Sequence, residues 1–144
     1  MVVPTNEQVL EKLDRAHLVQ MTRDLADIVT ITGEEQPVAE YLGKEFERLG
    51  MEVEYQEVEE GRLNVIGTLR GSGEGPVLMF NGHMDHFDQL GDVEPTRVTE
   101  DRVYGRGLVN MKCAFPCYIT AVDMLVKSKV QLKGDIIISG VVGE

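Results

Sequence analysis

The ten-residue stretch Pro76–Asp85, Pro-Val-Leu-Met-Phe-Asn-Gly-His-Met-Asp, constrains the fold more than any other part of the sequence. Its apolar run Val77–Phe80 has no polar alternation, which is typical of a strand buried on both faces within a parallel sheet. Side chains alternate along an extended chain, so His83 and Asp85 point to one side and Met84 to the other. An imidazole and a carboxylate therefore follow a buried strand at its carboxyl end, where open α/β sheets bind ligands. The pattern predicts a metal-ligating site there.

Charge and length exclude several classes of protein. The 144 residues suffice for one domain with a substantial core, and the formal net charge of −11 argues against nucleic-acid binding, which requires a basic surface. The same charge argues against attraction to an anionic membrane, and no apolar run approaches the length of a spanning helix. The polar N-terminus shows no secretory signal, and two cysteines make no disulfide framework. We therefore expect a cytoplasmic protein that binds neither nucleic acid nor membrane.

Apolar periodicity predicts secondary structure on both sides of the opening strand. The elements predicted before it are one long helix or two in tandem over Asn6–Ile28, a helix over Glu34–Arg48, and paired strands at Met51–Val58 and Arg62–Arg70. Those predicted after it are a small hairpin within Val98–Tyr104, a helix over Asn110–Lys129, and a second apolar strand over Asp135–Val142.

The order of these elements predicts how the site assembles. A strand, a crossover that contains a helix and a second apolar strand favour a parallel pair with a right-handed connection. If the two strands are parallel, His83, Asp85 and Glu144 meet at one edge of the sheet, and the connecting segment brings Asn110 to the same neighbourhood.

Three motifs stand in order along the chain: Gly82-His83-Met84-Asp85, then Tyr104-Gly105-Arg106-Gly107 with Asn110-Met111-Lys112, then Val141-Val142-Gly143-Glu144. Together they resemble the aminoacylase/carboxypeptidase family of zinc metallopeptidases, which includes acetylornithine deacetylase and succinyl-diaminopimelate desuccinylase. The resemblance implies a three-layer α/β fold, with a central mixed, mostly parallel sheet flanked by helices, as in a zinc exopeptidase-like catalytic domain. It also implies that residues 1–144 are the N-terminal portion of that domain, without its remainder and without the dimerisation or lid domain.

The same resemblance assigns a role to each candidate residue. His83 matches a metal ligand, and Asp85 matches the carboxylate that steers this histidine and raises its basicity. Asn110 falls where the family usually has an aspartate that bridges two metal ions. Glu144 matches the first of two consecutive glutamates, the general base, while the second would be residue 145.

The implied activity is metal-dependent hydrolysis of an amide in an N-acyl amino acid or a small peptide. The implied cofactor is Zn²⁺, with Co²⁺ or Mn²⁺ as alternatives and one or two ions bound. Zinc with an open position lowers the pKa of bound water toward 7, and a nearby glutamate moves the proton to the leaving amine. The resemblance further implies a homodimer for the full-length protein.

Asn110 is the main departure from the family pattern. At an effective dielectric constant of about 20, one unit charge at about 4 Å contributes roughly 4 kcal/mol, so a neutral amide should weaken the second metal ion most. A mononuclear enzyme and a homologue with altered activity both remain open, as does Asn110 as a helix N-cap. The alternative to an enzyme is that the chain is a non-catalytic fragment of the same fold, which binds a metal ion or an interaction partner.

Other candidate residues have structural interpretations beside functional ones. Alternation turns His86 away from His83 and Asp85. Cys113 and Cys117 lie four residues apart on one helical face, where packing on the sheet is favoured over a soft-metal pair. Arg106 either orients a substrate carboxylate or stabilises its loop. A flavodoxin-like nucleotide-binding domain is disfavoured, because no glycine-rich phosphate loop follows the first apolar strand.

Overall fold

This computed structural model describes residues 3–86 and 95–143, in which three helices are followed by five strands, a fourth helix and a final strand. The helices are α1 (Asn6–Leu10), α2 (Arg15–Asp27), α3 (Gln36–Arg48) and α4 (Ala114–Lys127). The strands are β1 (Glu52–Glu59), β2 (Arg62–Leu69), β3 (Leu78–His83), β4 (Arg97–Val98), β5 (Val103–Tyr104) and β6 (Ile136–Val141). An irregular helical turn at Leu108–Lys112 precedes α4.

Local sequence signals account for most element boundaries. The N-terminal helical pattern forms two tandem helices, because Thr5 makes a capping box at α1 and Asp14 accepts a hydrogen bond from the backbone N–H of His17 at α2. Pro37 lies in the first turn of α3, where its missing N–H costs nothing. Gly50 follows this helix with a φ of 75°, as expected of a glycine that ends a helix.

The central sheet has the strand order β1-β2-β6-β3. β3 and β6 are parallel, with Leu78 opposite Ile136 and His83 opposite Val141, so the predicted parallel pair is confirmed. β1 pairs with β2, and β2 with β6, in the antiparallel sense. The mixed sheet is therefore confirmed, whereas the expectation that it is mostly parallel is wrong for the described strands, because the β1–β2 hairpin joins β6 through an antiparallel ladder.

The helices flank the sheet on the face that contains Val65 and Ile138. Phe46 of α3 lies against Gly67 on this face, where an added Cβ would meet the ring at 2.7 Å, and Phe115 of α4 lies against Gly82. α2 packs beside α4 and contributes to the same core. The described residues thus form one sheet layer and one helical layer, and the third layer of the expected fold is not formed among them.

The opening strand is more exposed than its apolar sequence predicts. Val77, Leu78 and Met79 are 58%, 52% and 55% exposed, so the expectation of burial on both faces is wrong. The reason is position: within the described sheet β3 is an edge strand, whereas β6, with Ile138 fully buried, is interior.

One helical segment, Leu108–Lys127, has the length and composition of a membrane span. The expectation that no apolar run approaches that length is wrong for this segment. Its backbone is non-helical at Asn110 and Met111, and Phe115, Ile119 and Val122 are buried in the core. These contacts are those of a core helix of a folded domain.

Candidate functional site

His83 and Asn110 come together at the carboxyl end of β3. The imidazole Nε2 of His83 lies 3.1 Å from Oδ1 of Asn110, 27 positions further along the chain. Asn110 is exposed and has φ −128° and ψ 89° within the irregular turn. The helix begins at Ala114 with Cys113 as its N-cap, so the predicted start at Asn110 and the N-cap interpretation of this residue are both wrong.

The second ring nitrogen of His83 faces Asp85. Nδ1 lies 3.0 Å from the backbone carbonyl oxygen of Asp85 and 3.5 Å from its carboxylate Oδ1. Both atoms accept hydrogen bonds, so this geometry favours the tautomer with its proton on Nδ1. In that tautomer Nε2 presents its lone pair to Asn110.

The Asp85 carboxylate is buried and receives a hydroxyl donor. Its side chain is 1% exposed, and Thr32 Oγ1 donates to Oδ2 at 2.6 Å. The segment around Thr32 is fastened to the same stretch, because Thr30 donates to the Met84 carbonyl at 3.1 Å and accepts from the His86 N–H at 3.0 Å. No pattern in the sequence marks Thr32 as part of this site, because a lone threonine in a turn is common and carries no specific signal.

Lys112 anchors the turn that contains Asn110. Its side chain is fully buried, and Nζ donates to the carbonyl oxygens of Leu25 at 3.1 Å and Ile28 at 2.6 Å, at the C-terminal end of α2. Helix C-terminal carbonyls have a partial negative charge and attract a cation. Burial, together with the nearby charge of Arg106, lowers the pKa of Lys112 to about 8, against the opposing effect of Asp85.

The segment that leads toward Glu144 continues from β6. Glu144 itself lies outside the described residues, so its position at the site stays a prediction. Val141 ends β6 opposite His83, and its carbonyl accepts from the Met84 N–H at 2.9 Å. The next N–H, that of Val142, donates to Oδ1 of Asn64 at 2.9 Å.

The remaining candidates occupy different environments. His86 is buried, and an added Cβ on Gly107, which has a φ of +67°, would lie 3.0 Å from its ring. Cys113 and Cys117 are both exposed, so the predicted packing on the sheet is wrong: α4 buries the face with Phe115 instead. Arg106 is half-buried in the glycine loop, which leaves both of its interpretations open.

Nε2 of His83 and Oδ1 of Asn110 are both atoms that can serve as ligands of a metal ion. Two acceptors that face one another at 3.1 Å need a cation or a proton between them, and ligands of a tetrahedral zinc ion lie about 3.4 Å apart. An imidazole nitrogen is a common zinc ligand, and the oxygen that zinc usually binds is that of a carboxylate, whose place the amide oxygen of Asn110 would take here. No group of three or more His, Cys, Asp or Glu side chains converges within residues 3–86 and 95–143.

An imidazole held by a carboxylate at the edge of a mixed α/β sheet defines a class of candidate metal-binding α/β domains. Comparison with known proteins shows which family within this class the chain resembles. Residues 79–144 match the family model described as Peptidase family M20/M25/M40. This part of the chain is therefore similar to that family, and the resemblance that the three motifs carry is confirmed.

Two curated relatives illustrate the match. Acetylornithine deacetylase of Aliivibrio fischeri (strain MJ11) is 42% identical over 81 residues, which are 53% of this chain and 21% of that protein. The probable succinyl-diaminopimelate desuccinylase of Staphylococcus aureus (strain MRSA252) is 30% identical over 133 residues, 88% of this chain and 32% of that protein. The chain thus spans less than a third of the length of either relative.

The solved structures show the same fold. Aminopeptidase PepT from Bacillus cereus ATCC 10987 superposes with a TM-score of 0.78 at 22% identity, over 92% of this chain and 38% of that one. This likeness confirms the α/β fold class expected from the sequence.

Proposed function

We propose that the intact protein is a metal-dependent amide hydrolase, a deacylase or exopeptidase that acts on N-acyl amino acids or small peptides. The observation that supports this most directly is the approach of His83 Nε2 to Asn110 Oδ1 at 3.1 Å, with Nδ1 of the same ring against Asp85. The relatives named acetylornithine deacetylase and succinyl-diaminopimelate desuccinylase support the class of reaction and substrate.

Each residue has a distinct task in this proposal. His83 and Asn110 hold the ion, and Asp85, which accepts from Thr32, keeps the proton of His83 on Nδ1 so that Nε2 stays a ligand. When bound, Zn²⁺, or Co²⁺ or Mn²⁺ in its place, would supply Lewis-acid chemistry: it would polarise the scissile carbonyl and lower the pKa of a water ligand. Glu144 accepts the proton of the attacking water and gives it to the leaving amine.

The test measures zinc-dependent release of amine by the intact protein from a panel of N-acetyl amino acids, N-succinyl amino acids and dipeptides. We expect His83→Ala to lower kcat/KM at least 100-fold and to lower the zinc content, because an imidazole ligand is lost. His17→Ala is the matched control, since His17 lies on α2 and its ring Nε2 contacts the Glu45 carboxylate at 3.0 Å. Retention of both zinc and activity by His83→Ala would refute the assignment.

A non-catalytic metal-binding protein of the same fold is the second candidate. The neutral amide of Asn110 favours it, because a bridging carboxylate contributes a negative charge that Asn110 lacks. In this case the intact protein binds zinc in a His83-dependent way but releases no amine from any member of the panel. Zinc titration and the hydrolysis assay on the same preparation separate the two candidates.

The whole protein has two further proposed properties. We propose that it is a homodimer and that it resides in the cytoplasm, as the sequence and its family resemblance imply. Sedimentation equilibrium of the intact protein tests the first, and fractionation of cells that express it tests the second.

A further inference from the structure

Three consecutive residues at the end of the irregular turn contact three different parts of the fold. Asn110 faces His83, with its Oδ1 3.1 Å from the imidazole Nε2. The Met111 side chain lies over Gly82, where its methyl carbon would be 2.8 Å from an added Cβ. Lys112 donates from Nζ to two carbonyl oxygens at the C-terminal end of α2. The place of the Asn110 oxygen therefore depends on where the next two residues are held.

The contact that Lys112 makes is short and buried. Its side chain is fully buried, and Nζ lies 3.1 Å from the Leu25 oxygen and 2.6 Å from the Ile28 oxygen. An ammonium group that loses its acceptors inside a protein is costly, because neither water nor another group replaces them. Lys112 is therefore tied to the end of α2.

The chain that follows α2 holds the residues beside the other ligand. Thr30 donates to the Met84 carbonyl oxygen at 3.1 Å, and Thr32 donates to the Asp85 carboxylate at 2.6 Å. Asp85 in turn faces Nδ1 of His83. One continuous stretch of backbone, from the last turn of α2 onward, thus supports the segments of both candidate metal ligands.

We infer that Lys112 is a positioning residue that sets the separation of the candidate metal ligands His83 and Asn110. It fixes the turn of Asn110 to the end of α2, while the residues after α2 fix the segment of His83. Without Lys112 the turn can shift relative to the imidazole, and metal affinity falls when a ligand is no longer held in place. The inference rests on the proposed function, in which these two residues hold the ion.

The first test measures the zinc affinity of the intact protein by competition with a chromophoric chelator. Lys112→Met keeps much of the side-chain length and removes the ammonium, so it should weaken zinc binding about tenfold. Asp123→Asn is the matched control, because Asp123 is also a buried charged residue but lies in the second half of α4. Its carboxylate contacts Lys127 at 2.6 Å and Arg48 at 3.2 Å. This control should change zinc affinity less than about twofold, and an equal loss in both variants would overturn the inference.

A double-mutant cycle with Asn110→Ala separates positioning from general destabilisation. Asn110→Ala should itself weaken zinc binding about tenfold, since a ligand oxygen is lost. A residue that acts through Asn110 has little further effect once that oxygen is gone, so adding Lys112→Met should cost less than about twofold more. A second tenfold loss in that background would overturn the inference, as would an unchanged affinity in Lys112→Met alone.

Amide hydrogen exchange tests the contact in the metal-free intact protein. The Cys113 N–H donates to the Leu108 carbonyl oxygen at 3.1 Å across the irregular turn. Exchange at this amide should be at least about tenfold faster in Lys112→Met and unchanged in Asp123→Asn. Equal rates in Lys112→Met and the unsubstituted protein would overturn the inference even if zinc binds.

Failure of the proposed function has a different signature. Unchanged zinc affinity in both His83→Ala and Asn110→Ala would overturn the proposed metal site, and the inference with it. Exchange at Cys113 would still report whether Lys112 holds the turn. Loss of zinc in those two variants without loss in Lys112→Met would overturn the inference alone.

Discussion

Asn110 places a neutral amide oxygen 3.1 Å from His83 Nε2, where a carboxylate would add a negative charge. At an effective dielectric constant of about 20, a unit charge about 4 Å from a cation contributes roughly 4 kcal/mol before the cost of desolvation. We therefore expect the intact protein to retain about one zinc ion per chain and Asn110→Asp to retain about two. Metal analysis after exhaustive dialysis measures this directly. Two tightly held ions in the unsubstituted protein would contradict the mononuclear interpretation.

Thr32 supports the candidate metal site through its hydrogen bond to the carboxylate of Asp85. The 2.6 Å hydrogen bond supports a buried acceptor, so Thr32→Val should destabilise the intact protein by about 1–2 kcal/mol in urea unfolding. Since Asp85 orients His83, zinc affinity should fall about tenfold. Thr99→Val is the matched control, because exposed Thr99 makes a similar bond to the exposed carboxylate of Asp101 at 3.2 Å. Its effect should stay below about 0.5 kcal/mol, with zinc affinity unchanged.

Local periodicity predicted the helices and strands, but it did not predict the long-range hydrogen bonds that hold the residues of the site in place. The alternation of His83, Met84 and Asp85 could be predicted because it depends on neighbours along one strand, and the parallel pair β3–β6 because a helical crossover connects its two strands. Thr32, Lys112 and Asn64 reach their partners across 53, more than 80 and 78 positions, so no local pattern reveals them. The exposure of β3 also escaped prediction, because an apolar run does not show whether its strand is central or at an edge.

The ion pair between α3 and β2 gives the fold a pH dependence. Burial of Glu35 opposes its ionisation, but hydrogen bonds from Arg62 and the Gly33 N–H outweigh burial and hold the pKa of Glu35 below its ordinary value. A carboxyl whose pKa is lower in the folded than in the unfolded state stabilises the fold above the unfolded pKa of about 4.3. This stabilisation is lost as the pH falls through the folded pKa.

Glu35→Gln tests this pair. The substitution should lower the free energy of unfolding at pH 7 by about 3 kcal/mol, because it leaves a mostly buried guanidinium without its main partner. The variant should also lose less stability than the unsubstituted protein between about pH 5 and pH 3. Urea unfolding across this pH range measures both effects. Glu40→Gln, on an exposed position of α3, is the control and should change stability by less than about 0.5 kcal/mol. Parallel pH profiles for Glu35→Gln and the unsubstituted protein would contradict the linkage.

For the molecule as a whole, the two edges of the described sheet differ in how they resist association. Edge strand β1 contains Glu52, Glu54, Glu57 and Glu59, and clustered charge discourages pairing with another chain. Edge strand β3 has exposed apolar side chains, at Leu78 and Met79, and no charged residue before His83. An unpaired apolar edge is a template for strand pairing, so the 144-residue chain on its own should self-associate through β3.

The association can be followed by sedimentation velocity of residues 1–144 between about 1 and 100 μM, the range in which exposed apolar edges lead to aggregation. We expect the average mass to rise with concentration. Met79→Lys should shift the chain toward monomer, since a charge on an edge strand opposes pairing. Val58→Lys is the matched control, because Val58 is 53% exposed, like Met79, but lies on the glutamate-rich edge strand. It should leave the association unchanged. A monomer with a cooperative thermal transition at the highest concentration would show instead that the β3 edge is protected without further chain.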